Sequence, residues 1–168
     1  MVPRSITRYL EEHHTPYTLR AHPRAVTAQE TAAAIHKPGD TVAKAVIVDA
    51  DERRWIAVLP ATELLDRSRL ANELHAHQIR LVEEPEFARQ FPECELGAEP
   101  PFGGLYGLPV IADAALARQP RVYLRAGSHE ECVELSWSDF ERLEHPYVAP
   151  IGSRADRSEA QRSLAGQA

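Results

Sequence analysis

The 168 residues are enough for one domain with a sizeable hydrophobic core and too few for two ordinary domains. The composition, 43% hydrophobic and 26% charged, is that of a soluble globular protein and argues against general disorder. The formal net charge of −6 argues against a protein that grips a long nucleic-acid duplex, because such binding depends on neutralising many phosphates.

The apolar runs of the sequence are short. The longest, such as Ala45 to Val48 and Leu108 to Ala112, fall far below the length that spans a bilayer, and Met1 to Arg8 contains no apolar signal core. We therefore expect a cytoplasmic protein that makes no membrane contact. Cys94 and Cys132 have no Cys or His at ligand spacing, so neither a disulfide framework nor a zinc site is expected.

The first forty residues predict two helices and a short strand. Apolar residues at helical spacing predict a helix over Ile6 to His14, and Tyr17 to His22 alternates like a strand. Thr27 with Glu30 three residues later is a capping box, which predicts that Thr31 to His36 is helical.

A strand pair follows. Thr41 to Asp49 is apolar on both faces, and Arg54 to Leu59 should pair with it across the polar turn Asp51 to Arg53. Asp66 can cap the next helix, and Ile79 to Val82 predicts a brief strand.

The second half predicts short elements separated by an irregular stretch. In chain order they are a helix over Pro85 to Gln90, an irregular segment over Glu93 to Gly107, strands over Leu108 to Ala112, Arg121 to Arg125 and Cys132 to Leu135, and a helix from Ser136 through Leu143.

The order of these elements lacks a regular βαβ alternation. We therefore predict a single compact α/β domain over residues 1–149, with a mixed, barrel-like β-sheet flanked by helices. Residues 150–168 are rich in Ser, Arg, Ala, Gly and Gln and predict a disordered tail.

Lys44 is the first candidate for chemistry. It is one of only two lysines, and it lies in a strand where Val42, Val46 and Val48 share its face. Burying an unpaired ammonium costs several kcal/mol (roughly), so this side chain should meet an anion, a carbonyl or a water-filled cleft. The alternative is an edge-strand lysine that reaches solvent or pairs with a nearby carboxylate.

Two further patterns are candidates for substrate binding. The glycines and prolines between Gly97 and Gly104 predict a stiff loop whose amide groups could hold a substrate carbonyl, although most such loops only turn the chain. His129, in the turn Gly127-Ser128-His129, would be exposed enough to bond a substrate, although a surface histidine without a role is the more frequent case.

Other residues give weaker support to a reaction. The serines lack a nucleophile-elbow pattern, and Cys94 is expected to be a half-buried core thiol rather than a nucleophile. The histidine pairs His13-His14 and His75-x-His77 lack a third ligand at useful spacing.

Four segments together point to a known family. In order and spacing, Thr41 to Val48, Leu65 to Leu70, Glu93 to Gly103 and Gly127 to His129 resemble the YbaK/EbsC family. That family includes the insertion domain that edits for prolyl-tRNA synthetase and its free-standing relatives. The similarity covers Ser5 to Leu143, which is most of the chain.

The resemblance implies a trans-editing deacylase that hydrolyses the ester between an amino acid and the terminal adenosine of a mischarged tRNA. Lys44 would be the catalytic strand lysine that holds the 3′-terminal nucleotide and the reacting ester. The stretch from Gly97 to Pro101 would match the family's Gly-x-x-x-Pro loop, and His129 its Gly-x-His turn. The substrate-binding residues would then be Gly97, Ala98, Glu99, Pro100, Pro101, Phe102, Gly103 and His129.

The resemblance also implies a chemistry without metal, cofactor or protein nucleophile, in which the ribose hydroxyl and a held water, or a substrate thiol in some members, supply the attack. The expected partners are the acceptor end of aminoacyl-tRNA and an aminoacyl-tRNA synthetase. Candidate tRNA contacts are Arg20, Arg24, Lys37, Arg67 and Arg69, although for any one of them a solvated-surface role is the more frequent case.

This sequence departs from the family at two places. Ala45 follows the lysine where some members carry a polar residue, and Glu99-Pro100 replaces the small polar loop residues of the alanine-specific editors, so alanine specificity is not implied. Two alternatives to the deacylase stay open. One is a non-catalytic module that binds a small molecule or a partner with the same pocket, and the weaker one is a metal-dependent hydrolase that uses the histidines.

Overall fold

The computed structural model describes residues 1–154, and the elements of this part follow the sequence pattern closely in its first half. The seven α-helices are Arg4–Glu12 (α1), Ala28–Ala34 (α2), Arg67–Leu74 (α3), Glu84–Phe87 (α4), Gly103–Tyr106 (α5), Ala114–Ala117 (α6) and Trp137–Glu144 (α7), and 3-10 turns cover Gly39–Thr41 and Ala88–Gln90. The ten strands are Thr18–Ala21 (β1), Val42–Ala50 (β2), Arg53–Pro60 (β3), Glu63–Leu65 (β4), Ile79–Leu81 (β5), Val110–Asp113 (β6), Arg121–Arg125 (β7), Glu131–Ser136 (β8), Tyr147–Ala149 (β9) and Gly152–Arg154 (β10).

Eight strands form one mixed sheet. Its order is β1-β8-β7-β2-β3-β6-β9, with β5 paired to β2, and β4 and β10 form a separate two-stranded ladder. The pairs β2–β3, β7–β8 and β1–β8 are antiparallel, whereas β2–β7, β3–β6 and β6–β9 are parallel. The predicted single α/β domain with a mixed sheet and flanking helices is confirmed. Within residues 1–154 the ladder is an open path that ends at β1 and β9.

Alternation along the central strands divides the molecule into two sides. On one side, Ala43 and Ile47 of β2 join the largest core cluster, together with side chains of α1 and α7. On the other, Val42 packs with residues of α2 and Val48 packs with Leu70 of α3. Because strand side chains alternate between faces, Lys44 lies on the side of α2 and α3, between their two clusters. The face predicted for Lys44 is therefore the one it occupies.

The N-terminal caps of two helices explain why the local sequence predicted these helices. At α2 the hydroxyl of Thr27 accepts from the Glu30 amide, while the Glu30 carboxylate accepts from the Thr27 amide, so the predicted capping box is formed. At α3 the Asp66 carboxylate accepts from the Arg69 amide, as a cap should. The helix at α2 begins at Ala28, three residues before the predicted start.

The short elements of the second half differ from the prediction. Gly103 to Tyr106 was expected to be irregular and is helical, and the three-residue strands β4 and β9 were not predicted. The sequence assigns residues 150–154 to the disordered tail, but Gly152–Arg154 forms β10, and Ile151 before it is fully buried in one cluster with Leu59 and Leu70. The rest of that predicted tail lies outside the described residues. No helix in the described part of the chain is long and apolar enough to cross a membrane.

Candidate active site

A cavity of about 490 Å³ opens on the α2 side of the sheet. Its volume lies in the range that small-molecule sites occupy. Two strands and the start of one helix build it. The lining residues are Val26, Thr27, Ala28, Gln29, Lys44, Ala45, Ala61 and Arg125.

Lys44 lies on the wall of this cavity, where β2 leaves its ladder with β7. Burial lowers the pKa of its ammonium below the ordinary value, and the carboxylate of Glu63 opposes that change. Lys44 forms no ion pair with any described residue. Of the surroundings expected from the sequence, the one found is an open cleft.

Arg125 is a second cation on the same wall, and no sequence pattern singled it out. Register pairs Val42 with Tyr123 and Ala43 with Leu124 on the parallel strands β2 and β7, so Lys44 and Arg125 are the next residues of each strand. Arg125 is only 6% exposed, and burial lowers the pKa of its guanidinium. Alternation from Tyr123 would have placed Arg125 on the lysine's face, but an arginine at a strand end resembles an ordinary solvated terminus.

His129 is buried, so the predicted exposed turn histidine is wrong. Its side chain is 4% exposed, and Nδ1 lies 2.8 Å from Nη2 of Arg125 while Nε2 lies 2.8 Å from the carbonyl oxygen of Leu96. Since a guanidinium only donates, Nδ1 is the acceptor and Nε2–H donates to Leu96. His129 does not line the cavity, and it touches the site through Arg125.

The loop from Gly97 to Pro101 meets the histidine turn but not the cavity. The Gly127 amide donates to the carbonyl of Ala98 at 2.6 Å, and the His129 amide donates to the side chain of Glu95 at 2.6 Å. The structure thus brings together the loop and the turn that the resemblance singled out. None of Gly97 to Gly103 is among the residues that line the cavity.

Two amide groups of this loop, those of Gly97 and Ala98, are already engaged. The Gly97 amide donates to the carboxylate of Glu99 at 2.8 Å, and the Ala98 amide donates to the carbonyl of Glu95. Pro100 and Pro101 have no amide hydrogen to offer. The expected presentation of free loop amides to a substrate oxygen is therefore not what these residues show.

The end of the loop belongs to the core. Phe102 is fully buried on the opposite side of the sheet, with its ring centroid 6.1 Å from that of Tyr9 and 6.4 Å from that of Phe140. A Cβ atom on Gly103 would lie 2.1 Å from the Leu108 carbonyl oxygen, so this glycine allows a close backbone approach. The predicted substrate contact is thus replaced, for Phe102 and Gly103, by packing.

The candidate tRNA contacts lie at different places on the surface. Arg20 pairs with Glu134 at 2.5 Å, and Arg24 pairs with Glu95 at 3.2 Å. Arg20 and Lys37 both lie over the ring of Tyr123, at 5.5 and 5.8 Å, on the side of the sheet that carries the cavity. Arg69 pairs with Asp66 and donates to the carbonyl of Gly152, and Arg67 is exposed at the start of α3.

Other reactive side chains lie away from the cavity. Burial raises the pKa of the Cys94 thiol to about 11, which leaves it protonated and unreactive at neutral pH. In residues 1–154, no group of three or more His, Cys, Asp or Glu side chains is arranged to hold a metal ion.

Comparison with known proteins places the chain in a class. The aminoacyl-tRNA editing domain family matches residues 22–143. This match covers more than half of the chain and includes the cavity, the loop and the histidine turn. The chain therefore belongs to the aminoacyl-tRNA editing domain family, and this membership supports a role in tRNA editing.

Solved structures agree on the fold. A proposed trans-editing enzyme for prolyl-tRNA synthetase is 19% identical with a TM-score of 0.78, covering 89% of this chain and 96% of that one. A hypothetical protein is 17% identical with a TM-score of 0.80, covering 89% and 100%. A proposed signal transduction protein from Marinobacter aquaeolei is 17% identical with a TM-score of 0.72, covering 99% of this chain and 36% of its own. No curated protein matches the sequence.

Proposed function

We propose that this protein is a trans-editing hydrolase, which cleaves the ester bond of mischarged aminoacyl-tRNA and so supports the fidelity of translation. One observation carries the proposal: in a chain of the editing family, the ammonium of Lys44 faces an open cavity of about 490 Å³ without an ion-pair partner in residues 1–154. A cation kept in such a place is suited to a group that becomes negative during the reaction.

The reaction needs stabilisation of one oxygen. Water attacks the ester carbonyl carbon, and negative charge develops on the carbonyl oxygen. The bond from that carbon to the ribose oxygen then breaks, the ribose oxygen takes a proton, and the free amino acid and tRNA leave. Lys44 is the residue assigned to the developing oxyanion, because a fixed cation in a partly desolvated site stabilises charge more strongly than water does.

Gln29 is assigned to the attacking water. Its amide nitrogen donates to the carbonyl of Ala61 at 3.1 Å, which orients the side chain and leaves its oxygen as an acceptor at the cavity wall. A water that donates to this oxygen would be held beside the ester. His129 acts at a distance, since it bonds Arg125 and does not line the cavity. The loop from Gly97 to Pro101 is one step further away, because the carbonyl of Ala98 accepts from Gly127 in the turn of His129.

The test is a panel of aminoacyl-tRNAs that covers all twenty amino acids, with release of the amino acid as the measurement. Wild type should deacylate at least one member, and Lys44→Met should lose about 100-fold or more in kcat/KM, the typical cost of removing one stabilising group from an oxyanion site. Arg53→Met is the matched control, because that arginine lies over Trp55 away from the cavity. Absence of hydrolysis across the whole panel would refute the proposal.

A non-catalytic binding module on the same fold is the second candidate. The observation in its favour is that the Gly97 and Ala98 amides are engaged within the protein. Calorimetric titration separates the two candidates: tight binding of a free amino acid or nucleotide by a protein that deacylates nothing would support the binding module, whereas turnover that depends on Lys44 would reject it.

A further inference from the structure

We infer that Arg125 selects the substrate, and that the cavity takes an aminoacyl ester with an acidic side chain, aspartyl or glutamyl. This inference rests on the proposed function and adds the substrate class to it. It starts from Arg125, the second cation on the cavity wall, which has no role in the oxyanion stabilisation assigned to Lys44.

The charge of Arg125 has no carboxylate partner within residues 1–154. The acidic groups that act on it, Glu99 and Glu30, lie beyond ion-pair distance. Each accepts from backbone amides instead, Glu99 from Gly97 and Glu30 from Val26 and Thr27. Within residues 1–154, the lining of the cavity thus contains two cations and no carboxylate. Such an arrangement favours an anionic ligand, because a buried charge without a partner is costly.

The guanidinium is also held in place. Its Nη2 donates to the carbonyl of Val26 at 2.5 Å and to Nδ1 of His129 at 2.8 Å, which fixes the orientation of the planar group. Nε has no hydrogen-bond partner and is buried, and Nη1 forms no hydrogen bond with a described residue. A fixed guanidinium with donor capacity left over is suited to bind a carboxylate, since little side-chain entropy remains to be lost.

The burial of Arg125 favours the aminoacyl side chain over a phosphate as the anion that it binds. Arg125 is 94% buried, whereas Lys44 is only partly buried. The phosphodiester chain of a tRNA must continue out to solvent, but the side chain of the amino acid has a free end that can reach the wall on which Arg125 lies. A cationic group at that end discriminates a carboxylate from its isosteric amide by charge.

The preference for an acidic side chain can be tested with non-hydrolysable probes in which an amide replaces the ester. Aspartyl and asparaginyl derivatives of 3′-amino-3′-deoxyadenosine, each with and without a 5′-phosphate, are titrated calorimetrically. Wild type should bind the aspartyl probe about 10-fold more tightly than the asparaginyl probe, the ratio that one charge-assisted hydrogen bond supplies. The preference should be present with or without the phosphate.

The variants assign the preference to one residue. Arg125→Gln, which keeps a polar side chain but removes the charge and the Nη donors to Val26 and His129, should reduce the ratio to within about twofold. Arg121→Gln is the control, since that arginine lies on the same strand and pairs with Glu134 outside the cavity. Equal binding of the two probes by wild type overturns the inference even if Arg125→Gln does not fold. A preference set by the phosphate alone also overturns it.

The two proposals fail separately. Preferential binding of the aspartyl probe by a protein that deacylates no aminoacyl-tRNA would leave the acidic site standing and refute the hydrolase. Deacylation of neutral aminoacyl-tRNAs, with aspartyl-tRNA and glutamyl-tRNA hydrolysed no faster than their amide counterparts, would leave the hydrolase standing and refute the acidic site.

Discussion

At the scale of single residues, the cavity is built around groups that weaken the fold. Lys44 sits between two apolar clusters of one sheet face, and burial lowers its pKa. The folded state therefore holds the proton of Lys44 less tightly than the unfolded state does. Residues kept at such a cost are typical of functional sites, because stability alone would favour an apolar side chain.

Replacing Lys44 should therefore stabilise the protein. The Lys44→Met variant is expected to gain about 1 kcal/mol in free energy of unfolding at neutral pH, because burial of the charge is removed and the volume is kept. The gain should shrink as pH rises. The folded-state pKa is lowered, so the unfolded state binds more protons between that pKa and the ordinary value of about 10.4, and the stability of wild type rises through this window. Urea unfolding of both proteins from pH 7 to 10.5 measures the difference; a gap that widens with pH would contradict the explanation.

The sequence identified one of the two cations for a physical reason. A lysine with apolar neighbours on its own face stands out, whereas Arg125 ends its strand and precedes a Gly-Ser turn, as many solvated arginines do. The burial of Arg125 arises from the turn that folds back over it, through His129 and the carbonyl of Val26. The contact between Arg125 and Val26 joins residues 99 positions apart, and no local pattern specifies it.

At the scale of elements, the start of α2 is part of the cavity as well as a helix terminus. Thr27 caps the helix and lines the cavity, and its box with Glu30 determines where Val26 and Ala28 lie. Ser136 caps α7 in the same manner, with its hydroxyl accepting from the Asp139 amide at 3.1 Å, but it is not among the cavity residues. The two caps therefore form a matched pair.

Removing the hydroxyl of Thr27 or of Ser136 should lower the stability by similar amounts but should affect the activity differently. Thr27→Ala and Ser136→Ala are each expected to lose about 1 kcal/mol of unfolding free energy, the usual cost of an N-cap. Only Thr27→Ala should reduce kcat/KM for deacylation, by about fivefold if roughly 1 kcal/mol of substrate positioning is lost. Denaturant titration and steady-state kinetics test the pair. Equal effects of the two variants on kcat/KM would show that the Thr27 cap does not contribute to the cavity's function.

The long elements were predictable, whereas several of the short ones, unlike the three-residue strand β5, were not. Strand β2 extends over nine residues with an apolar pattern, and α2 has its capping box, so local sequence specified both. Strands β4, β9 and β10 have three residues each, which is too few for a period to show. They exist because distant partners pair with them, as Gly152 does with Leu65. The parallel pairing of β2 with β7 is likewise a long-range event.

At the scale of the whole molecule, the acidic charge limits how RNA can be held. The net charge is −6, and three of the candidate tRNA contacts, Arg20, Arg24 and Arg69, are already paired to carboxylates, so extensive phosphate binding is not favoured. The proposed substrate, aminoacyl-tRNA, offers a single-stranded acceptor end, which a small footprint can bind. A limited contact of this kind has a measurable consequence in salt.

The salt dependence of kcat/KM should be shallow. Neutralising about three phosphates of a single strand predicts a slope of about −2 in a plot of log kcat/KM against log salt concentration, since each phosphate contributes about −0.7. Deacylation assays between low and moderate potassium chloride measure the slope. A slope steeper than about −5 would require an extensive basic surface that the net charge does not favour.

The alternation of side chains between the two faces of β2 and β7 limits which sequence changes this protein can tolerate during evolution. Even-numbered residues of β2 and odd-numbered residues of β7 face the cavity side, while their neighbours hold the main core. Substitutions in the first set can retune ligand choice and leave the core intact. The insertion or deletion of a single residue in either strand has a different effect, because it moves the side chains that follow to the opposite face of the sheet. The cation of that strand would then point into the apolar core, and the cavity would lose it. Length in these two strands should therefore vary far less among functional variants than residue identity.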